Sequence, residues 1–214
     1  MNYFAHAHLA AQRRADPYFV LGAMLPDWTG WVGDRLGEVR HPGLAAGVRF
    51  HHETDAAFHA SACFNRWVRE ATDDLGSAGL ERGPSRGAAH VGVELLLDGV
   101  LVGEAGAIRA YADALALAHS VSSDLVWGRD ASRLRYEEVV RRLAASDLPA
   151  AYANPDRVAE ATVRTLERRP RLRVPKHLTS RIADWAGPAR HRLICDAPTL
   201  LLETESGLDP GAAP

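Results

Sequence analysis

The stretch RFHHETDAAFH, residues 49–59, has the spacing that decides the fold class. His51, Asp55 and His59 follow one another at intervals of four residues. Residues four apart lie about 40° apart around an α-helix and about 6 Å apart along its axis, so these side chains share one face. Small apolar residues flank that face, which favours a polar row turned toward the protein interior. His51 and Asp55 can share one metal ion, whereas His59 is too far along the helix and can serve a second ion or a substrate phosphate.

Helical spacing extends through the rest of the 214-residue chain, and alternating strand patterns are nearly absent. The sequence therefore predicts an all-α fold, a single-domain helical bundle over residues 1–204 with a disordered tail at 205–214. Residues 27–40, which are rich in glycine and tryptophan, are predicted to form a loop. Glycine and proline residues separate predicted helices at about 2–13, 17–25, 43–74, 84–102, 104–120, 133–146, 155–168 and 175–203.

Composition excludes several classes of protein. The net charge of −2 gives no sign of a nucleic-acid partner. No apolar run reaches the length of a membrane span, and the first residues lack the charge and apolar core of a signal peptide. Cys63 and Cys195 are far apart in sequence, which favours a reducing cytoplasm over a disulfide framework. The sequence predicts a cytoplasmic protein.

Histidines are concentrated near the start of the chain. The motif AHAH supplies His6 and His8. If this segment is helical, the two side chains point about 200° apart and only one of them faces a given site. If it is extended, both face the same side. Either residue can instead be an ordinary buried histidine.

A second row of polar residues interrupts the apolar stretch HVGVELLLDG. His90, Glu94 and Asp98 repeat the spacing of four. Acidic side chains in so apolar a helix are costly unless they are paired or bind a metal. Two helices that each present a histidine and an acid can form a nitrogen and oxygen cage for Mn, Fe or Zn. A salt-bridge network without a metal is the alternative.

Two further segments carry candidate site residues. Asp27, in LGAMLPDWTG, follows Pro26 at the predicted end of a helix, where it is either a metal ligand or base or an ordinary turn residue. The stretch RTLERRPRLRVPK, residues 164–176, concentrates positive charge. Arginine binds phosphate and carboxylate groups well, so Arg168, Arg169 and Arg171 are predicted to contact an anionic substrate. The alternative is a solvated helix end.

These motifs together resemble the acyl carrier protein phosphodiesterase family. The resemblance is carried in order by MNYFAHAHLA, LGAMLPDWTG, AGVRFHHETDAAFH and RRPRL. It implies an HD-like, all-α phosphohydrolase that uses manganese to cleave the phosphodiester between phosphopantetheine and a serine of the carrier protein. The implied functional residues are His6, His8, Asp27, His51 and Asp55. YFVLGAMLPD after AHAHLA is also similar to zinc-dependent phospholipase C proteins, which cleave phosphodiesters as well.

The chain departs from the family pattern at several positions. His90 and Glu94 stand where the family has an acid and an aspartate, and Leu95 stands where it has a histidine. His59 replaces an acid. The site is rebuilt with exchanged ligands, which makes a non-catalytic descendant that binds metal or a carrier protein the alternative to an enzyme. A di-iron oxidase ranks last because its Glu-x-x-His spacing is missing.

The sequence thus predicts a metal-dependent phosphodiesterase acting on acyl carrier protein or a related phosphodiester, without a nucleic-acid partner or a membrane span. The predicted cofactor is Mn or Zn, with Fe as a further option. Asp27, Asp55 and Glu94 are the predicted catalytic groups. Substrate binding is predicted for Arg168, Arg169, Arg171 and His59. The predicted metal ligands are His6, His8, Asp27, His51, Asp55, His90 and Glu94.

Overall fold

The computed structural model describes residues 1–208 and confirms the all-α fold. Within these residues lie nine α-helices and one two-stranded antiparallel sheet. The helices are α1 (Tyr3–Arg13), α2 (Pro17–Val32), α3 (Pro42–Ala60), α4 (Ala62–Ser77), α5 (Arg82–Leu101), α6 (Ala107–Leu117), α7 (Ser132–Ala144), α8 (Pro155–Leu166) and α9 (Thr179–Ser206). The strands are β1 (Leu36–Val39) and β2 (Leu125–Trp127), paired Leu36 to Trp127 and Val39 to Leu125.

The chain divides into two compact units. Among the described residues, the first unit contains Met1–Ala56 and Gly103–Leu148, and the second contains Ala57–Val102 and residues 149–208. The domain boundary at residue 204 stays a prediction. Helix α9 continues to Ser206, and residues 209–214 of the predicted tail lie outside the described part of the chain.

In the first unit, α1 and α6 pack against α2. Phe4, Leu25 and Trp28 are completely buried there, and the rings of Phe4 and Tyr111 meet edge to face with their centroids 5.6 Å apart. Such pairs add stabilisation beyond the burial of their apolar area. The core of this unit is therefore built largely by α1, α2 and α6.

Helices α2 and α3 approach each other closely through two glycines. A methyl group on Gly22 would overlap the carbonyl oxygen of Leu44, and one on Gly47 would overlap that of Phe19. Both obstacles are backbone atoms, which cannot rotate away as a side chain can. The two backbones can therefore lie this close only because both positions lack a Cβ atom.

In the second unit, α5 packs against α4, α8 and α9. Trp67 of α4 is 1% exposed, and its indole N–H donates a hydrogen bond of 3.0 Å to Asp196 of α9. Arg66 donates to the same carboxylate over 2.9 Å. This carboxylate satisfies the buried indole and links α4 to α9.

Two predicted helix boundaries were wrong. Helix α2 does not end at residue 25 but continues past Pro26, because Trp28 and Val32 are buried beyond it and their packing outweighs the hydrogen bond that proline removes. Its C-terminal cap is Gly33, with φ of 72°. The predicted helix 43–74 is two helices, because the Ser61 side chain accepts a hydrogen bond from the Phe64 amide and starts α4.

No helix within residues 1–208 combines the length and the apolar character that crossing a membrane requires. Cys63 is a buried free thiol and Cys195 an exposed one.

The close approach of α2 and α3 can be tested with two glycines of the same helix. Gly22→Ala should lower the stability of the protein by about 1–3 kcal/mol, the usual cost of forcing extra volume into a packed site. Gly30→Ala should leave stability unchanged or raise it by up to about 1 kcal/mol, because nothing lies within 4 Å of the added methyl group. Urea unfolding followed by circular dichroism measures both. Equal effects would contradict the tight crossing.

Candidate metal centre

The first group of candidate ligands lies in the first unit. It combines His6 of α1, Asp27 of α2 and His51 of α3, and one ligand atom from each lies within 4.8 Å of the other two. His6 is completely buried, His51 is 6% exposed and Asp27 is half-buried. We call these three residues the first histidine group.

Hydrogen bonds hold both imidazoles of this group in one tautomer. His51 Nδ1 lies 2.8 Å from the carbonyl oxygen of Ala23 and must donate to it. His6 Nδ1 lies 3.0 Å from the Thr54 hydroxyl, which itself donates to the Phe50 carbonyl over 2.8 Å and so accepts from His6. In both rings Nε2 therefore carries the lone pair, and a buried partner fixes the ring orientation, as is usual for metal-binding histidines.

Burial also holds these histidines in the neutral form. Removal from water lowers the pKa of His6 to about 3, although the neighbouring Asp55 raises it, and lowers that of His51 to about 4. The two rings stack with centroids 3.8 Å apart, so two charged imidazoliums would also repel each other. Neutral imidazole is the form that binds metal ions, and it is the form present at neutral pH.

Asp55 stands beside the first histidine group. It follows His51 by one helical turn, and its Oδ1 lies 3.7 Å from His6 Nε2 and 2.7 Å from the amino nitrogen of Met1. About 37% of its side chain is exposed, so water can reach this carboxylate more easily than it can reach His6 or His51.

The second group of candidate ligands lies in the second unit and consists of His59 of α3 with His90 and Glu94 of α5. We call these residues the second histidine group. Burial by itself would raise the pKa of Glu94, but nearby positive charge and hydrogen bonds, among them those with His59 and His90, lower it overall. Glu94 is therefore a carboxylate at neutral pH.

The predicted site residues do not all come together. His51 groups with His6 and Asp27, whereas His90 and Glu94 group with His59. His8 is buried on α1 and Asp98 on α5, and neither belongs to either group. The helical form of AHAH explains the separation of His6 from His8, since side chains two residues apart on a helix point in different directions.

The predicted arginines lie on the surface of the second unit. Arg168, Arg169 and Arg171 are exposed, just after α8 and around the short 3₁₀ helix Pro170–Leu172. Their contact with an anionic substrate stays a prediction.

Two supporting residues were missed at the level of sequence. Thr54 and the carbonyl group of Ala23 hold the imidazoles, but a threonine inside a helix and a backbone carbonyl have no distinguishing pattern. Their roles depend on the packing of α1, α2 and α3, which sequence spacing does not reveal.

The fold and the site define the class of protein: it is all-α and brings two buried histidines together with a half-buried aspartate. A sequence model of the acyl carrier protein phosphodiesterase family matches residues 1–186, and the chain belongs to that family. The match includes both histidine groups. No curated protein and no solved structure matches the chain, so its relation to HD phosphohydrolases stays a prediction.

The buried histidines predict a dependence of stability on pH in protein kept metal-free with a chelator. In the unfolded chain each imidazole titrates near pH 6.5, whereas the folded protein keeps His51 neutral down to about 4. Below pH 6.5 the unfolded state therefore binds protons that the native state does not. The contribution of each such group to the free energy of unfolding should be complete above pH 6.5 and should fall toward pH 4 by about 1.4 kcal/mol per pH unit.

The test compares His51→Asn with the parent protein. Asparagine can still donate to the Ala23 carbonyl but does not titrate, so the variant should show a shallower loss of unfolding temperature between pH 6.5 and 4. His119→Asn, which changes an exposed histidine of the same unit, should retain the parental slope. Parallel slopes for His51→Asn and the parent would show that His51 is not held neutral.

Proposed function

We propose that the protein is a metal-dependent hydrolase that cleaves the phosphodiester joining phosphopantetheine to acyl carrier protein. The observation that carries the proposal is the first histidine group, in which Asp27 lies beside two buried, neutral imidazoles with lone pairs on Nε2. Membership of the acyl carrier protein phosphodiesterase family supports the choice of substrate.

The donor set of the first histidine group fits a divalent ion of the transition series. Two imidazole nitrogens and a carboxylate oxygen suit Zn and Fe, accept Mn less readily because it prefers oxygen, and do not suit soft ions that require thiolates. A metal held by His6, Asp27 and His51 would lower the pKa of a water molecule and offset charge on the phosphoryl oxygens. The manganese implied by the family resemblance is compatible with these donors.

The protein side chains supply orientation and proton transfer. The hydrogen bonds of His6 with Thr54 and of His51 with Ala23 hold the two imidazoles in place before substrate arrives. Asp55 is the candidate proton acceptor for the attacking water, because it borders the group and remains accessible to solvent. Attack of water on phosphorus breaks the bond to the serine oxygen, which takes up a proton, and releases phosphopantetheine with its phosphate.

The exposed arginines are the candidate contact for an anionic partner. Arg168, Arg169 and Arg171 lie within four consecutive positions. Guanidinium groups bind phosphate and carboxylate oxygens in pairs, so such a cluster suits a carrier protein with acidic side chains.

A second candidate function is non-catalytic binding of metal or of a carrier protein. Leu95, which stands where the resembled pattern has a histidine, is 5% exposed and has an apolar side chain that can neither bind a metal nor transfer a proton. A chain that has lost one reactive group in this way can retain its fold and its binding surface without the reaction.

Asp27→Asn tests the chemistry of the first histidine group. Asparagine has nearly the same size but no charge and is a poor metal ligand. Turnover should therefore fall at least about a hundredfold, in the range usual for a lost acid–base or ligand group. The assay follows conversion of holo-acyl carrier protein to its apo form by mass spectrometry, with bis-p-nitrophenyl phosphate as a second substrate and added Mn or Zn.

Asp113→Asn is the matched control, because Asp113 is an exposed aspartate of the same unit. It should retain parental turnover, and the metal-free unfolding temperature of both variants should stay close to that of the parent. Parental turnover in Asp27→Asn would remove Asp27 from the site. A parent protein without metal-stimulated activity on either substrate would favour the non-catalytic alternative.

The arginine cluster predicts a salt-dependent affinity for the carrier protein. Combined Arg168→Ala and Arg169→Ala changes should raise KM at low ionic strength more than at high ionic strength, because salt screens exposed charges over about 10 Å at 0.1 M. Arg109→Ala, at an exposed arginine of the first unit, should leave KM unchanged. An effect that does not depend on salt, or no effect at all, would contradict the predicted contact.

A further inference from the structure

We propose that the second histidine group is a separate metal site with a preference for Zn²⁺. His59, His90 and Glu94 would supply three ligands and leave a fourth position for water or an anionic oxygen. The proposal does not depend on the first histidine group or on the proposed hydrolysis, because all three side chains lie in the second unit.

Three potential ligand atoms converge on one point in this group. His59 Nε2 lies 3.2 Å from His90 Nε2 and 3.3 Å from Glu94 Oε1, and His90 Nε2 lies 3.1 Å from the same oxygen. Zinc binds nitrogen and oxygen at about 2.0–2.1 Å, so neighbouring ligands of a tetrahedral site are about 3.3 Å apart. The separations in the observed triangle therefore match one face of a zinc tetrahedron.

The chemistry of the donors selects among ions with similar bond lengths. An octahedral ion would also accept ligand separations of about 3 Å. The distances therefore show that the three ligand atoms lie close together, and they do not identify the ion. Two imidazoles favour zinc over magnesium, calcium and manganese, which prefer oxygen. Two histidines and one glutamate form a known ligand set of zinc enzymes, with the fourth position open.

The surroundings hold the two rings in place. The imidazoles of His59 and His90 are nearly parallel, with an interplanar angle of 14°. The ring of Phe64, which is 2% exposed, stands nearly perpendicular to both, with centroids 5.2 Å and 5.3 Å away. One rigid apolar residue therefore positions both nitrogen ligands, while the spacing of four residues on α5 brings Glu94 beside His90.

The group is also accessible to an ion. The exposed fractions of the side chains are 31% for His59, 44% for His90 and 15% for Glu94. A divalent ion can therefore enter from solvent, and the ionised carboxylate offsets one of its two charges.

The competing explanation is a hydrogen-bonded cluster that shares protons and binds no metal. Separations of 3.1–3.3 Å also suit N–H···N and N–H···O bonds. The two explanations differ in one measurable respect, since only a metal site binds zinc with a fixed stoichiometry that depends on all three side chains.

The experiment uses the full chain with His6→Ala and His51→Ala, which disable the first histidine group. After metal depletion, this variant should bind one equivalent of Zn²⁺ in calorimetry, unfold at a higher temperature with zinc than without it, and give the intense visible absorption of tetrahedral cobalt when Co²⁺ is added. An additional His59→Ala or His90→Ala change should lower zinc affinity at least about a hundredfold, which exceeds the usual effect of losing a supporting hydrogen bond.

Glu94→Gln has nearly unchanged volume and should also weaken zinc binding. It serves as the test variant if the packing of α5 does not tolerate the alanine changes. His177→Ala alters an exposed histidine of the same unit and should bind zinc like its parent. His90→Asp should shift the preference from Zn²⁺ toward Mn²⁺, because it exchanges a nitrogen donor for an oxygen donor.

Absence of zinc binding in the folded background variant would overturn the proposal, and so would an affinity unaffected by the changes at residues 59, 90 and 94. Failure of the proposed hydrolysis would leave these results unaffected, because the experiment measures metal binding in a protein that lacks the first histidine group.

Discussion

The close approach of α2 and α3 is the constraint on which the first histidine group depends. Gly22 and Gly47 allow the two backbones to touch. The two residues that form the hydrogen bond to a ring of the first histidine group lie near these glycines in sequence. Ala23 directly follows Gly22, and His51 lies one helical turn beyond Gly47. The bond from His51 to the Ala23 carbonyl can form only between backbones this close. The turn that follows His51 contains Thr54, which holds His6, so one helix crossing positions both imidazoles.

The two histidine groups reduce the free-energy cost of burying polar groups in different ways. His6 and His51 lose their charge, and their Nδ1 protons are bound by protein acceptors, which leaves the buried Nε2 of His6 as a polar atom without a hydrogen bond within the described residues. Glu94 retains its charge instead, and His59 and His90 hydrogen-bond to it near the surface. The two imidazoles of the first group are thus buried, whereas the second group is partly open to solvent.

The sequence predicted the fold class because residues that repeat every three or four positions can bury one face only as helices. The predicted end of α2 just before Pro26 was wrong, because helix-end signals in the sequence do not include the burial of Trp28 and Val32 beyond the proline. Periodicity revealed the polar rows on α3 and α5, but it could not pair His6 with His51, which are 45 positions apart in sequence. Only the family resemblance connected those two residues. Nothing in the sequence distinguished Thr54 as a support of His6, or Phe64 as a support of His59 and His90.

Each histidine group is contained within one compact unit, and this arrangement has an evolutionary consequence. Substitutions at positions 59, 90 and 94 exchange side chains that contact one another, while the hydrogen bonds of His6 and His51 involve none of them. A few point changes can therefore exchange the side chains of the second cluster while the hydrogen bonds that hold His6 and His51 stay in place.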